Sequence, residues 1–323
     1  MNVLAPIRAA EEVAALCRAG ADEFYCGTTP PGWSERYGAT WAHRRDPRSA
    51  GVPDCAEIGR IAALAAPRPV YATLNAPWYP AGAVPLLVEF GRRLLEEHGV
   101  QALIVADTEL LLALAEAGLA GRVHLSSLAT CTNSGAASWF RGLGVGRIIL
   151  PRHLTVPEIE AIVTAGGEFE VFALNDGCVF EEGLCATTHA RGVFCLGDGP
   201  GTAGVGEEAL ERYEFWKWTL TGCGCRTSRG YPLGPCGLCA IPRFLAAGVA
   251  SLKVVGREAS LERKVASVRL TARARDLARS GAGREEIRRA VLALRGGRSL
   301  CEGAHLCYYP DVWGPLRREA RAC

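Results

Sequence analysis

Seven of the fourteen cysteines in this 323-residue chain fall between positions 178 and 239. In LNDGCVFEEGLCATTHARGVFC, six residues separate Cys178 from Cys185 and nine more precede Cys195. Three thiols in one glycine-containing loop can close around a single soft metal centre, because thiolates prefer soft ions. Buried structural cysteines would have apolar neighbours, whereas Asp176, Glu181, Glu182, Thr187, Thr188 and His189 are polar. Further on, GCGC and CGLC place Cys223 and Cys225 before Cys236 and Cys239, with ten residues between Cys225 and Cys236. That spacing approximates a zinc ribbon. Cys301 and Cys307 follow, and with Cys223, Cys225 and Cys239 they make a candidate second metal site. The chain has no G-x-S-x-G elbow, no H-E-x-x-H and no G-x-x-x-x-G-K-[ST] loop, which argues against hydrolase and nucleotide chemistry.

What must position these thiols is an alternation of helix and strand. AGADEFYCG, HGVQALIVAD, LGVGRIILPR and AGVASLKVVGR each bring a helical stretch to a glycine and then run into apolar, β-branched or aromatic residues. Gly20, Gly99, Gly144 and Gly248 stand where a helix stops on a left-handed residue, and the runs after them suit strands buried on both faces. Strands are expected over 2–5, 22–26, 69–75, 102–106, 122–125, 147–150, 168–173 and 251–255. Helices are expected over 8–18, 54–66, 84–97, 108–117, 135–142 and 155–165. This is the pattern of a parallel (β/α)8 barrel, although a doubly wound open sheet uses the same units.

The alternation breaks over about 175–240, a Gly-, Cys- and Thr-rich insertion with one helix near 207–220, and a loop of that length inside a compact fold points to function. After the last strand, 261–279 and 284–295 read as Arg-rich helices with a solvated face, since Glu262, Asp276, Glu285 and Glu286 are interspersed. The aromatic tail from Cys301 is expected to pack back onto the body. The organisation is therefore a barrel over 1–258, insertion included, and a helical extension over 259–323.

In a barrel, residues just past each strand's C-terminal end face one mouth, where such enzymes work. Those positions hold Cys26, Asn75, Asp107, Ser126, Ser127, Arg152, His153, Asn175, Arg257 and Glu258. Asn75 and Asn175 can donate to and accept from a neutral polar ligand, and Arg152 or Arg257 can grip a carboxylate with two hydrogen bonds. The competing reading is that strand ends are polar because loops are. His153 can serve as acid or base or cap a turn, and His124 reads as a core residue with its hydrogen bonds satisfied.

In CGLCAIPRFLAAGVASLKVVGRE, Cys236 stands five residues before Ile241, Pro242 follows, and Ala247 to Arg257 complete AGV-x-SLK-x-x-GR. This motif resembles the signature of peptidase family U32, the collagenase-like peptidases. GADEFYCG, VYATLN, VHLSSLATCTN and IILPRHLTVPEI match it too, so the likeness spans most of residues 1–275. The chain departs from the family in a shorter interval between Cys185 and Cys195, in SLKVVGR where SLKIEGR is usual, and in its extra cysteines.

The resemblance implies a distorted (β/α)8 TIM-type barrel with a Cys-rich insertion before the last strand and a helical C-terminal extension. It implies a [4Fe-4S] cluster on Cys178, Cys185, Cys195 and Cys236, as in the iron–sulfur ubiquinone-biosynthesis and RNA-hydroxylating members. The activity implied is oxygen-independent hydroxylation, or a related modification, of a small organic substrate. Prephenate is the implied oxygen donor, Arg152 or Arg257 would hold its carboxylates, and Asn75 completes the catalytic set. Zinc is the rival metal, since Cys236 cannot serve both the ribbon and the cluster. A non-catalytic scaffold forming a homodimer or heterodimer with a family member is the other class, and peptidase activity stays as the family label suggests.

Composition sets the frame. Hydrophobic residues make up 49% and charged residues 22%, as in an ordinary globular chain. Thirty-six basic against thirty-four acidic residues give +2, without the basic excess that phosphate binding demands, so nucleic acid is not expected. The longest uncharged run, 69–88, contains Pro69, Pro77, Pro80 and Pro85, so no membrane span is expected. Glu11 and Glu12 interrupt the first apolar stretch, which does not read as a secretory signal; a cytoplasmic location with reduced thiols is expected.

Overall fold

The computed structural model describes residues 1–38, 40–45, 47–175, 235–295 and 307–313. Among them, eight strands close into a parallel barrel in sequence order: β1 (Asn2–Pro6), β2 (Glu23–Gly27), β3 (Val70–Leu74), β4 (Ala102–Val105), β5 (Val123–Leu125), β6 (Arg147–Ile149), β7 (Glu168–Leu174) and β8 (Ser251–Val254). The ring closes where Val3 of β1 pairs with Leu252 of β8. Every expected strand forms, and the closed barrel rather than the open sheet is the arrangement.

The helices are α1 (Val13–Ala19), α2 (Trp33–Tyr37), α3 (Pro47–Ala50), α4 (Cys55–Ala65), α5 (Val84–Glu97), α6 (Thr108–Glu116), α7 (Ser134–Gly142), α8 (Val156–Val163), α9 (Ile241–Ala247), α10 (Leu261–Arg279) and α11 (Arg284–Arg295). The helix expected over 8–18 divides into a 3-10 turn at Ala10–Glu12 and α1. Starts and stops follow local chemistry. Asp54, Asp107, Asn133 and Thr155 each accept a hydrogen bond from the third backbone N–H beyond them, and Thr155 and Glu158 form a reciprocal capping box. Gly20, Gly99, Gly144 and Gly248 all have positive φ, as expected.

Period-two alternation divides the core into two layers. Outward residues such as Val3, Phe24, Val70, Leu103 and Val171 pack under the helices. Inward residues include Leu4, Tyr25, Tyr71, Ile104, Ile149 and Phe172.

The basic face read on α10 and α11 is solvated at Arg269, Arg273, Arg279, Arg284 and Arg289, but three cations of these helices turn inward. Lys264 is fully buried and donates to both carboxylate oxygens of Glu12 at 3.0 and 2.9 Å. Arg275 pairs with Asp22 and Asp276, and Arg295 is buried as well. Lys264 and Arg275 face the barrel because Glu12 and Asp22, beside β1 and β2, compensate them, a match across more than 250 residues that periodicity does not reveal. The described part of the tail, 307–313, packs on the barrel: Tyr309 is buried, its ring 4.9 Å from that of Phe244. No helix among the described residues is long and apolar enough to cross a membrane.

Candidate active site at the barrel mouth

Arg257 follows β8 by three residues, past Gly256 at φ 115°, and its side chain is buried at the mouth. It donates to the Thr73 hydroxyl at 2.7 Å, and its guanidinium carbon lies 6.0 Å from the centre of the Tyr25 ring. No carboxylate among the described residues comes within ion-pair distance of it. Burial, with Arg45 nearby, lowers its pKa from the ordinary arginine value. A buried guanidinium whose acceptor is one neutral hydroxyl is suited to receive an anion. Room for the guanidinium exists because position 27 is glycine: a Cβ there would sit 2.7 Å from Thr73 Oγ1, 3.0 Å from His43 Cδ2, and against the guanidinium itself.

Asn75 is held from both sides. Its Oδ1 accepts from the backbone N–H of Arg44 at 3.2 Å, and its Nδ2 donates to Ser126 Oγ at 3.4 Å. It thereby ties the segment between β2 and α4 to the end of β5. Arg152 is buried past β6 with its guanidinium carbon 5.5 Å from the Phe172 ring centre. Lys253 of β8, which the sequence reading did not single out, lies 4.7 Å from the Tyr25 ring and 5.9 Å from that of Phe172. Arg152, Lys253 and Arg257 thus share two inward-facing aromatic rings.

Other strand-end positions do not join them. Cys26 points outward into the layer beneath the helices, where burial pushes its thiol up to about 12, so it is an inert packing residue. Asp107 caps α6, and His153 is exposed. Asn175 adopts φ 81°, donates from Nδ2 to Ser267 at 2.7 Å, and keeps a buried Oδ1 without a partner among the described residues.

Beneath the mouth lies a charged interior that the sequence reading missed. Arg147 donates to Glu23 at 2.7 and 2.9 Å, to Glu168 at 3.0 Å and to Glu170 at 3.4 Å. Lys253 donates to Glu170 at 2.9 Å, and Asn2 and Ser251 donate to Glu23 at 2.6 and 3.0 Å. The available signal was the run of alternate polar positions in Glu168–Phe169–Glu170 and Ser251–Leu252–Lys253. His124 faces this interior, 4.4 Å from the Tyr71 ring. Its Nδ1 is buried with no partner among the described residues, which corrects its reading as a satisfied core histidine. Burial, then Arg147 and Lys253, hold its pKa far below the ordinary value, so it is neutral.

Of the candidate metal ligands, Cys178, Cys185, Cys195, Cys223, Cys225 and Cys301 lie outside the described residues, as does the helix expected near 207–220. Cys236, Cys239 and Cys307 lie within them, all half-buried. Cys236 pairs antiparallel with Leu174, the last residue of β7: Asn175 N–H donates to Pro235 O at 2.9 Å and Gly237 N–H to Ala173 O at 2.8 Å. Cys236 therefore sits at the mouth end of β7, where the chain leaves towards Cys178. Cys239 occupies the 3-10 turn Leu238–Ala240. Among the described residues, no three His, Cys, Asp or Glu side chains converge on a metal position.

A model of peptidase family U32 matches residues 8–196, more than half of the chain. The match includes positions 178, 185 and 195 and ends before the segment around Cys236. Among solved structures, the chain is similar to the U32 peptidase Mk0906, with 20% identity over 60% of this chain and 79% of that one and a TM-score of 0.42. It is also similar to 2,3-dimethylmalate lyase of the PEP mutase/isocitrate lyase superfamily, with 15% identity over 53% and 66% and a TM-score of 0.36. A third is nitroalkane oxidase from Streptomyces ansochromogenes, with 17% identity over 78% and 64% and a TM-score of 0.27.

Proposed function

The chain belongs to peptidase family U32, and on that premise we propose that it is an iron–sulfur enzyme modifying a small organic substrate at the barrel mouth, by oxygen-independent hydroxylation or a related reaction. The observation that carries the reading is the pinning of Cys236 to the last residue of β7, because it brings that thiol to the point from which the segment containing Cys178, Cys185 and Cys195 departs. A half-buried thiol at a strand end is a suitable donor for a soft centre, and the four cysteines are the proposed holders of a [4Fe-4S] cluster. Such a cluster, when bound, supplies one-electron chemistry.

The chain's own side chains do the rest in this reading. Arg257, buried against Thr73, orients an anionic substrate group; Arg152 supplies a second cation; Asn75 ties the segment after β2 to the mouth. Prephenate, the oxygen donor suggested by the family resemblance, carries carboxylates of the kind these arginines bind. Protein purified without oxygen should be brown and carry about four irons and as many acid-labile sulfides per chain. Colourless protein with stoichiometric zinc and no sulfide would contradict the reading and leave the zinc ribbon on Cys223, Cys225, Cys236 and Cys239.

A further inference from the structure

The interior of a (β/α)8 barrel is normally filled by its own side chains. Here the filling is incomplete below the mouth. The outward strand residues Val3, Phe24, Val70, Leu103, Val123 and Leu252 are wholly buried, whereas the inward residues Lys253, His124, Tyr71 and Tyr25 keep 8%, 7%, 5% and 4% of their surface open. Nearer the other end of the barrel, Glu170 and Ser251 are at 0%, so the open space narrows downwards from the mouth. Its walls are aromatic. The Tyr25 ring has the Arg257 guanidinium 6.0 Å away and Lys253 Nζ 4.7 Å away, and the Phe172 ring has Arg152 at 5.5 Å and Lys253 at 5.9 Å. A ligand only a few bonds long can therefore touch the mouth arginines and Lys253 at once.

His124 borders the same space, its ring 4.4 Å from that of Tyr71. No described residue hydrogen-bonds it; Nδ1 is sealed, whereas Nε2 is not. A sealed N–H without an acceptor is the rarer orphan, so Nδ1 is the bare nitrogen and Nε2 carries the proton of the neutral ring. The imidazole thus offers the interior a donor. Charge decides what it meets. The inward cations Arg147 and Lys253 are matched by the buried carboxylates of Glu23 and Glu170, so the interior has no positive charge to spare and suits a neutral acceptor. Arg257, with no carboxylate among the described residues in ion-pair range, suits an anion.

We propose that His124 is a specificity-determining residue, whose Nε2–H, beside the Lys253 ammonium, receives the carbonyl oxygen of a small oxo acid held at its carboxylate by Arg257. The inference rests on Arg257 being the anion site, as in the proposed function, and not on the identity of the metal.

The test is calorimetric binding of pentanoate, 2-oxopentanoate and 4-oxopentanoate to the whole chain purified without oxygen, as wild type, His124→Phe and Arg257→Met, with thermal melts to verify folding. Wild type should prefer at least one oxo acid over pentanoate by about tenfold, the worth of one buried hydrogen bond. His124→Phe keeps a ring against Tyr71 and should bind all three acids with the affinity of pentanoate; His124→Leu takes its place, with the same expectation, if the Phe variant does not fold. Arg257→Met should weaken all three together. Equal binding of the three acids by wild type, or a preference that survives loss of the imidazole, would overturn the proposal and leave His124 to an ordered water. Failure of every acid to bind, or binding to Arg257→Met as tight as to wild type, would overturn the reading of Arg257 as well.

Discussion

Replacing Arg147 by Met removes the hub of the barrel interior while keeping most of its apolar length. Arg147 gives Glu23 two charge-assisted hydrogen bonds at 2.7 and 2.9 Å, and Glu23 and Glu170 are 1% and 0% exposed. Glu170 retains Lys253, but Glu23 is left with only the neutral donors Asn2 and Ser251. Deleting one partner of a buried pair costs about 3–5 kcal/mol, because the other charge stays behind uncompensated. The half-exposed pair Arg243–Glu160, with hydrogen bonds at 2.8 and 2.5 Å, is bidentate too but has far more water around it. Arg243→Met should therefore cost less than about 1 kcal/mol.

Acid distinguishes the two further. Burial alone would raise the Glu23 pKa, but Arg147, Asn2 and Ser251 together hold it below the ordinary carboxylate value. A lowered folded-state pKa contributes stability above about pH 4.3 that is lost as pH falls below it. Without Arg147, burial dominates and the pKa rises, so acid relieves the variant by neutralising the stranded carboxylate. The stability gap between wild type and Arg147→Met should narrow from pH 7 to pH 5. Urea titrations with m-values checked for constancy give both numbers. A cost equal to that of Arg243→Met, or a gap unchanged by pH, would refute the reasoning.

Two other expectations follow from buried groups. With its folded pKa depressed, His124 stays neutral while the unfolded chain protonates near pH 6.5, so wild-type stability should fall as pH drops below about 6.5 and His124→Leu should flatten that slope; parallel slopes by urea titration would sink this. Gly27→Ala should cost about 1–3 kcal/mol by forcing Arg257 from its place, whereas Gly59→Ala, with His98 3.7 Å away as its nearest neighbour, should be neutral or stabilising. Equal melting temperatures for the two would mean that Arg257 is not held as described.

The barrel was legible because its signals are local. Val84–Glu97, Leu261–Arg279 and Arg284–Arg295 fall on the residues that apolar spacing marks, and the helix-stop glycines precede strands where expected. The short helices Trp33–Tyr37 and Pro47–Ala50 escaped, since they are too brief to show a period and belong to a segment ordered by distant contacts such as Tyr79 Oη donating to Ala42 O at 2.9 Å. At the site, Arg152, Asn75 and Arg257 were visible as polar residues past apolar runs. Lys253, Glu23, Arg147 and Glu170 were not, because a charge inside a strand reads as an interruption until its partner, up to 124 residues away, is known.

The central claim is that the thiols beyond β7, together with Cys236, hold iron. Its most direct test is iron and zinc content of Cys178→Ser beside Cys239→Ser, both purified without oxygen. Replacing a thiolate by a hydroxyl removes a good donor to a soft centre, so Cys178→Ser should lose its iron while Cys239→Ser keeps most of it. Iron unchanged in Cys178→Ser, with metal lost from Cys239→Ser, would contradict the account and assign the metal to the ribbon cysteines instead.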